Sequence, residues 1–152
     1  MLCFEDRTSC RGEFHVEVLR HGKVVDAFGD HNLVVNSGRV RLAELAAGKS
    51  DRYITQIGVG SGAEAEAEED TSLENQHLFP LASTSVNGRD ARFDFVIGEN
   101  DANGLAIREF GLFCSDGAMF THRVRRRAQT GEPRVIEKEN DIELHGYWIL
   151  HF

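Results

Sequence analysis

Ile54-Thr-Gln-Ile-Gly-Val-Gly-Ser-Gly62 indicates the fold most strongly, together with Ile107-Arg-Glu-Phe-Gly-Leu-Phe113 further along the chain. Both are short apolar segments punctuated by glycine, which predicts strands. The second leads into Asp116-Gly117, a pair typical of a tight turn. The glycines of the first segment predict a turn that needs positive φ. Neither segment carries a catalytic motif.

Alternating apolar residues predict further strands at both ends of the chain. The segment that holds Phe14, Val16 and Val18 runs through His21-Gly22 into residues 23–28, which predicts an N-terminal hairpin. The last segment alternates most regularly. Its apolar positions are Ile142, Leu144, Gly146, Trp148, Leu150 and Phe152. An apolar strand of this kind is predicted to lie at the centre of a sheet or to pair within an oligomer.

The middle of the chain also has strand periodicity. Residues 79–86 predict a strand. Because proline has no N–H to donate, Pro80 is compatible with this strand only near its start or at a sheet edge. Segments 91–97, 105–113 and 118–126 are separated by Asn-Gly and Asp-Gly turns. This spacing predicts three consecutive antiparallel strands.

One helix is predicted, over about residues 37–47. Asn36-Ser37-Gly38 supplies side-chain oxygens that can cap it, and Gly48 can end it. Its apolar face is predicted to consist of small or aliphatic residues packed on a sheet: Val40, Leu42 or Ala43, Ala46 and Ala47. The predicted fold class is therefore α+β to mainly β, an antiparallel sheet or sandwich with one packed helix.

Length and composition indicate a single domain. A chain of 152 residues with 41% hydrophobic content can bury one substantial core. Within it we expect a mobile arm over residues 1–12, an N-terminal hairpin over 13–30 and a larger module over 32–152.

Charge and hydropathy exclude several classes of function. The net charge of -8 argues against a nucleic-acid binder, which needs clustered Lys and Arg. The charged N-terminus does not resemble a signal peptide, and no segment is apolar over the length that a membrane span needs. We therefore expect no membrane partner and synthesis in the cytoplasm.

No motif predicts an enzyme, a cofactor or a metal site. Residues 58–63 match a dinucleotide pattern, but the acidic tract over 63–76 that follows would repel a phosphate. Residues 99–104 resemble the front of a calcium loop, yet Phe110 stands where a bidentate carboxylate is needed, which favours a polar turn. Three cysteines without a CxxC pair predict ordinary thiols. Neither GxSxG nor HExxH occurs.

The candidate interface residues are Tyr147 of the last segment and the charged residues of two other apolar strands. Arg108 and Glu109 point to opposite faces of one predicted strand. Either they form a polar outer face, or a buried charge among them holds a loop or a neighbouring protomer. The basic cluster Arg123, Arg125, Arg126 and Arg127 is either a solvated rim or a patch for an acidic subunit, such as the acidic tract of an identical chain.

The two glycine-punctuated motifs resemble those of the N-terminal module of bacteriophage tail-collar and tail-fibre proteins. In that family a strand that ends in a GxG loop precedes an IRExGLF…DG hairpin, and residues 71–76 (Thr-Ser-Leu-Glu-Asn-Gln) also look like a counterpart. The resemblance covers about residues 32–152. This chain differs from the family in its additional N-terminal hairpin, and it does not continue into a shaft and a receptor-binding tip.

The resemblance implies a structural virion protein without enzymatic activity. Its expected partners are tail, baseplate or fibre subunits, with a homo-oligomer, a trimer by analogy, located in the virion tail. The departure from the family favours an adaptor, collar or baseplate role over direct receptor recognition. The alternative is a carbohydrate-binding module, for which Tyr53, Tyr147 and Trp148 are the candidate aromatic residues.

Overall fold

The computed structural model describes residues 10–126 and 134–152, in which the chain forms eleven strands and one helix. In chain order the elements are β1 (Arg11–Arg20), β2 (Lys23–Val34), α1 (Asn36–Ala46), β3 (Ile54–Gly60), β4 (His77–Pro80), β5 (Ser83–Asn87), β6 (Asp90–Ile97), β7 (Ala106–Ile107), β8 (Glu109–Cys114), β9 (Met119–Val124), β10 (Ile136–Glu137) and β11 (Ile142–His151). Residues 1–9 of the predicted arm lie outside these ranges. Its last two residues, 11 and 12, belong to β1.

Nine of the strands form one antiparallel sheet in the order β4-β3-β8-β9-β2-β1-β11-β6-β5, and β7 pairs with β10 in a separate ribbon. Every paired neighbour in the described ranges is antiparallel. A mainly antiparallel sheet with one short helix was the predicted class, and it is confirmed at that level.

The sheet is curled into a half-barrel. Its two edge strands, β4 and β5, are joined by only Leu81 and Ala82. The Leu81 N–H donates to Thr55 O at 3.0 Å, and the Ala82 N–H donates to Asp94 O at 2.8 Å. Because so short a link connects opposite edges, the curl must bring the end of β4 close to the start of β5 at Leu81 and Ala82. The prediction of one strand over 79–86 is therefore wrong, although Pro80 does lie in an edge strand.

The core fills the concave side of this sheet. Phe14 of β1 stacks on Trp148 of β11 with ring centroids 4.7 Å apart, and both residues are buried. β11 lies between β1 and β6 in the sheet, so the prediction of a central C-terminal strand is confirmed. The N-terminal hairpin is also confirmed, with its turn at His21 (φ 50°) and Gly22 (φ 76°).

The predicted run of three consecutive antiparallel strands is wrong. β8 and β9 do form a hairpin, but β6 pairs with β11 and β5 instead. Alternation along a strand specifies which face is buried, whereas it does not specify which strand lies beside it.

The helix begins earlier and packs differently from the prediction. Val35 is its N-cap and makes no side-chain capping bond, while the Ser37 hydroxyl donates instead to Met119 O at 2.6 Å. Gly38 is the buried residue of α1, and a Cβ there would lie 2.3 Å from Phe120 O. Val40 is 60% exposed. Ala43, Ala46 and Ala47 are exposed as well. Leu42 of the predicted face is half-buried and does pack against the core. Close approach at Gly38, together with this single leucine, therefore brings α1 onto the sheet.

Within the described ranges, no helix has the length and apolar character that crossing a membrane requires.

Candidate functional site

The two motifs that open the sequence analysis lie side by side as β3 and β8. Gly58 pairs directly with Gly111, and a Cβ added to Gly58 would lie 2.4 Å from Cε2 of Phe113. None of the three glycines at 58, 60 and 62 is among the residues with positive φ. The prediction of a positive-φ turn is therefore wrong. Glycine is required there because neighbouring groups occupy the space of a side chain.

Glu109 at the start of β8 anchors the loop over residues 61–76. The side chain is 3% exposed, and its Oε2 accepts hydrogen bonds from the backbone N–H groups of Gly62 and Glu74. A Cβ on Gly62 would lie 2.3 Å from that oxygen. The carboxylate therefore holds both ends of the loop against the sheet, which matches one of the two alternatives left open by the sequence.

His122 of β9 lies between two carboxylates. Its Nε2 is 2.7 Å from Oε1 of Glu109, and its Nδ1 is 2.7 Å from Oδ2 of Asp70 in the loop. Burial is the largest influence on the pKa of His122 and lowers it. The hydrogen bonds and charges of Glu109 and Asp70 together outweigh burial, so this pKa lies above its ordinary value. Protonated His122 donates one hydrogen bond to each carboxylate.

This arrangement limits the chemistry of a small cavity of about 150 Å³ beside it, which Glu109, His122 and Asp70 help to line. Both ring nitrogens of His122 are committed to carboxylates, and a general base needs a free nitrogen lone pair. The three groups therefore act as a charge-paired anchor for the loop. We call this set, Glu109, His122 and Asp70, the loop anchor.

The basic cluster meets the acidic tract within the same chain. Arg123 Nη1 lies 2.9 Å from Glu66 Oε1, and its Nε lies 2.9 Å from Asp30 Oδ2. The Val124 N–H also donates to Glu66 at 3.0 Å. On the same loop, an Arg126 Nη2 donates to Ala63 O at 3.1 Å.

The remaining candidate interface residues are placed as follows. Arg108 donates to Ser61 O at 3.2 Å and so also contacts the loop. Arg125 lies elsewhere: its guanidinium carbon is 3.6 Å from the centre of the Phe28 ring, and its Nη2 is 2.9 Å from Asp26 Oδ2. Arg127 lies outside the described residues. The structure thus gathers Arg108, Glu109, Arg123 and Arg126 at one loop, and whether they form an interface stays a prediction.

No family model, no curated protein and no solved structure matches this chain. The resemblance to tail-collar and tail-fibre modules therefore stays a prediction based on the motifs themselves.

Tyr147 lies on the outer face of the sheet, in an open groove of about 630 Å³. The His15 ring from β1 stacks on it at 4.8 Å, and the guanidinium of Arg92 from β6 lies 4.0 Å from the ring centre. Arg92 is held in turn by Asp94, with 3.0 Å between Nη2 and Oδ1. Groups from the strands on both sides of β11 therefore cover the tyrosine. Trp148 is fully buried.

Lys138 organises the segment that resembles a calcium loop. It is fully buried, and its Nζ donates to Asn103 Oδ1 at 2.8 Å, to Glu139 O at 2.9 Å and to Glu99 O at 3.4 Å. Burial lowers the pKa of Lys138, although surrounding carboxylates, first Asp101, act in the opposite direction. The buried ammonium group of Lys138 thus supplies the positive charge at the turn formed by residues 99–104. In the described part of the chain, no group of three or more His, Cys, Asp or Glu side chains is arranged to hold a metal ion.

Two thiols are described, and both are buried or partly buried. Burial raises the pKa of Cys10 and of Cys114 to about 11, while the nearby charges of Arg39 and Arg41 act to lower it. Both cysteines are free. Because the thiolate is the reactive form, these side chains behave as ordinary apolar residues near neutral pH.

Sequence reasoning missed His122, Asp70 and Lys138. One signal could have found His122: the predicted turn at Asp116-Gly117 folds residues 109–111 back against 122–124, which is the register observed. Asp70 and Lys138 reach their partners from loops, whose positions the strand pattern does not specify.

Proposed function

We propose that this chain is a structural subunit of a bacteriophage virion, a tail, collar, baseplate or fibre-attachment component that acts by protein–protein assembly. The observation that carries the proposal is that the three segments of the resemblance pack as one unit. β3 pairs with β8, and residues 71–76 close over them through the buried Leu73, whose Cβ lies 2.7 Å from the position a Cβ would take on Gly60.

The charges of this unit support a scaffolding role. His122 contacts both Glu109 and Asp70, and Glu109 accepts hydrogen bonds from the loop backbone. Arg123 binds the acidic tract. Groups paired in this way fix the shape of a surface. A surface of fixed shape suits assembly, since little conformational entropy is lost when it binds.

By analogy with the family, the proposed partners are other tail, baseplate or fibre subunits, and the proposed state is a homo-oligomer, with a trimer favoured. The chain would be located in the virion tail after assembly in the host cytoplasm. It would act without a cofactor and without catalysis.

The surroundings of the aromatic residues favour assembly over the carbohydrate-binding alternative. A sugar platform needs an exposed aromatic face, but Trp148 is buried, and the half-buried Tyr147 ring is already in contact with His15 and Arg92. Tyr53 is 64% exposed and is not part of that groove.

Two measurements test the proposal. Mass spectrometry of purified phage particles from the source of this gene is expected to detect the chain at a constant ratio to tail subunits. Light scattering of the purified chain is expected to show an oligomer. A chain that is strictly monomeric and absent from particles would contradict the proposal. Glycan-array binding that is lost on Tyr147→Ala would favour the carbohydrate-binding alternative instead.

A further inference from the structure

The curled sheet does not close, and its opening lies along β5. In the described ranges β5 pairs with β6 alone, and no pairing joins it to β3 or β4. Across those ranges, residues 83–87 also make no backbone hydrogen bond outside their ladder to β6. The outward N–H and C=O groups of β5 are therefore available to a further strand.

Two residues of β5 face the core side of the sheet without being covered. Thr84 pairs with Phe93 and Val86 pairs with Ala91, and directly paired residues share one face of a sheet. Phe93 is 9% exposed, whereas Val86 is 79% exposed. Val86 therefore faces the core side of the sheet, but no other residue of the described ranges packs over it closely enough to bury it.

A groove of about 220 Å³ begins at these residues. β5 borders it on one side, and the other side is formed by Tyr53 and Ile54 together with α1. All of its lining residues are uncharged: Leu42, Leu45, Tyr53, Ile54, Thr84, Ser85, Val86, Ala91, Phe93, Phe120, Leu150 and Phe152. The chain has 28% charged residues and a net charge of -8, so an uncharged groove of this length is distinctive. It favours a ligand whose contacting groups are uncharged.

We propose that this opening receives one extended, uncharged strand of a partner protein. The strand pairs with β5 and places alternate apolar side chains into the groove. We call the opening, formed by residues 84–86, Tyr53, Ile54 and the groove between them, the β5 seam. The proposal rests on the assembly role proposed above and gives it a surface and a chemical class of partner.

Charge complementarity decides the chemistry of the occupant. A charged side chain in the groove would be taken out of water with no opposite charge to meet it, which is costly. An apolar strand gains from burial, and its backbone gains a hydrogen-bond partner in β5. The strand must also be single, because α1 and the start of β3 border the groove opposite β5.

The opposite edge of the sheet is less suited to this role. β4 is a strand of four residues and ends in Pro80, which has no N–H to donate. β5 contains neither proline nor a charged residue, and its pairing with β6 is regular over all five residues. The devices that usually protect a sheet edge are thus present at β4 and missing at β5.

The test compares two lysine substitutions on the same strand. Val86→Lys places a charge on the groove side of β5. Asn87→Lys places the same charge on the outer face, because successive residues of a strand point to opposite faces and Asn87 does not line the groove. Both positions are exposed, so both variants are expected to fold. The probe is a fluorescein-labelled peptide of alternating threonine and valine, seven residues long, and binding to the full chain is followed by fluorescence anisotropy.

We expect saturable binding of this peptide to the unmodified chain. Val86→Lys should weaken it about tenfold or more, since the apolar contact is lost, and Asn87→Lys should leave it almost unchanged. Absence of saturable binding, or an equal effect of the two substitutions, would overturn the proposal. Unaltered far-ultraviolet circular dichroism and urea midpoints verify that both variants are folded.

Two further outcomes would assign the seam to another occupant and so overturn the proposal. One is an unliganded dimer in sedimentation that Val86→Lys dissociates and Asn87→Lys does not, which indicates a second copy. The other is tighter peptide binding by the Leu2→Ser/Phe4→Ser double variant. That result would indicate that the N-terminal residues of this chain occupy the seam and compete with the peptide. Failure of peptide binding is distinguishable from failure of the assembly role, because detection of the chain in particles is a separate measurement.

Discussion

Glu109 and His122 form a buried contact of 2.7 Å between Oε1 and Nε2 that joins neighbouring strands of the sheet. The other oxygen of Glu109 and the other nitrogen of His122 both reach the loop over residues 61–76. One pair of side chains therefore connects the motif strands to the acidic tract. The loop contains six carboxylates. It is held from beneath by the backbone hydrogen bonds to Glu109 and by the contact of His122 with Asp70.

Glu109→Ala is expected to lower the free energy of unfolding by about 3 kcal/mol, a typical cost of removing one partner of a buried ion pair. The substitution leaves His122 with a single carboxylate and leaves the N–H groups of Gly62 and Glu74 without their acceptor. Urea denaturation followed by circular dichroism measures the change.

The matched control is Glu69→Ala, which removes an exposed carboxylate of the same loop. We expect its effect to be within about 0.5 kcal/mol, as for most surface substitutions. Equal effects of the two substitutions would show that loop charge in general, and not the loop anchor, stabilises the fold.

The stability of the fold should depend on pH through His122. Burial lowers the pKa of His122, but Glu109 and Asp70 outweigh burial and raise this pKa above its ordinary value. A group of this kind stabilises the folded state fully below its unfolded pKa of about 6.5, and the stabilisation is lost as pH rises through the folded pKa. We therefore expect the free energy of unfolding to fall as pH rises through that range, as measured by urea denaturation at a series of pH values.

His122→Gln should remove most of this pH dependence, and an NMR titration of the imidazole should report the raised pKa directly. His151→Gln is the control, because the hydrogen bond that His151 makes to the Asp90 carboxylate also raises the pKa of His151, whose side chain is 36% exposed. Solvent weakens the contribution of such a group. A pH dependence that disappears with His151→Gln and persists with His122→Gln would contradict our assignment.

Much of the fold could be predicted from local sequence. The alternation in β1, β6 and β11 and the turn at His21-Gly22 each depend on residues close together in the chain, and each prediction held. The order of the strands depends on contacts between distant segments. β6 therefore appeared to belong with β8, whereas it lies beside β11.

The candidate site could be predicted only in part, for the same physical reason. A buried charge within an apolar strand requires a partner, so a loop held by Arg108 or Glu109 was one of the two predicted alternatives. The structure gives this role to the carboxylate of Glu109. Its partner His122 depends on hairpin register, and Asp70 depends on the path of a loop. The glycines at 58 and 60 were recognised as necessary, but the reason was wrong, because crowding by Phe113 and by the loop determines them.

Gly58→Ala tests this crowding. The new methyl group would lie 2.4 Å from Cε2 of Phe113 and 2.9 Å from Cδ2 of Leu78, so we expect a loss of about 1–3 kcal/mol in the free energy of unfolding, as for overpacked cores. Urea denaturation of the four members of a double-mutant cycle with Phe113→Leu provides the measurement. Because leucine lacks the ring, the alanine should cost less in that background. A cost that is the same in both backgrounds would show that the ring is not the obstacle.

The contact between Arg123 and Glu66 allows the basic cluster and the acidic tract to be tested as parts of one chain. The two side chains are partly buried, and 2.9 Å separates Nη1 from Oε1. A double-mutant cycle of Arg123→Gln and Glu66→Gln should give a coupling energy of about 1 kcal/mol, within the range for contacting charges. Glu69→Gln in place of Glu66→Gln is the matched control and should give a coupling near zero. The coupling should not change with protein concentration, because both residues belong to one molecule. If it increases with concentration, the acidic tract binds the basic cluster of another copy, and the pair belongs to an oligomer interface.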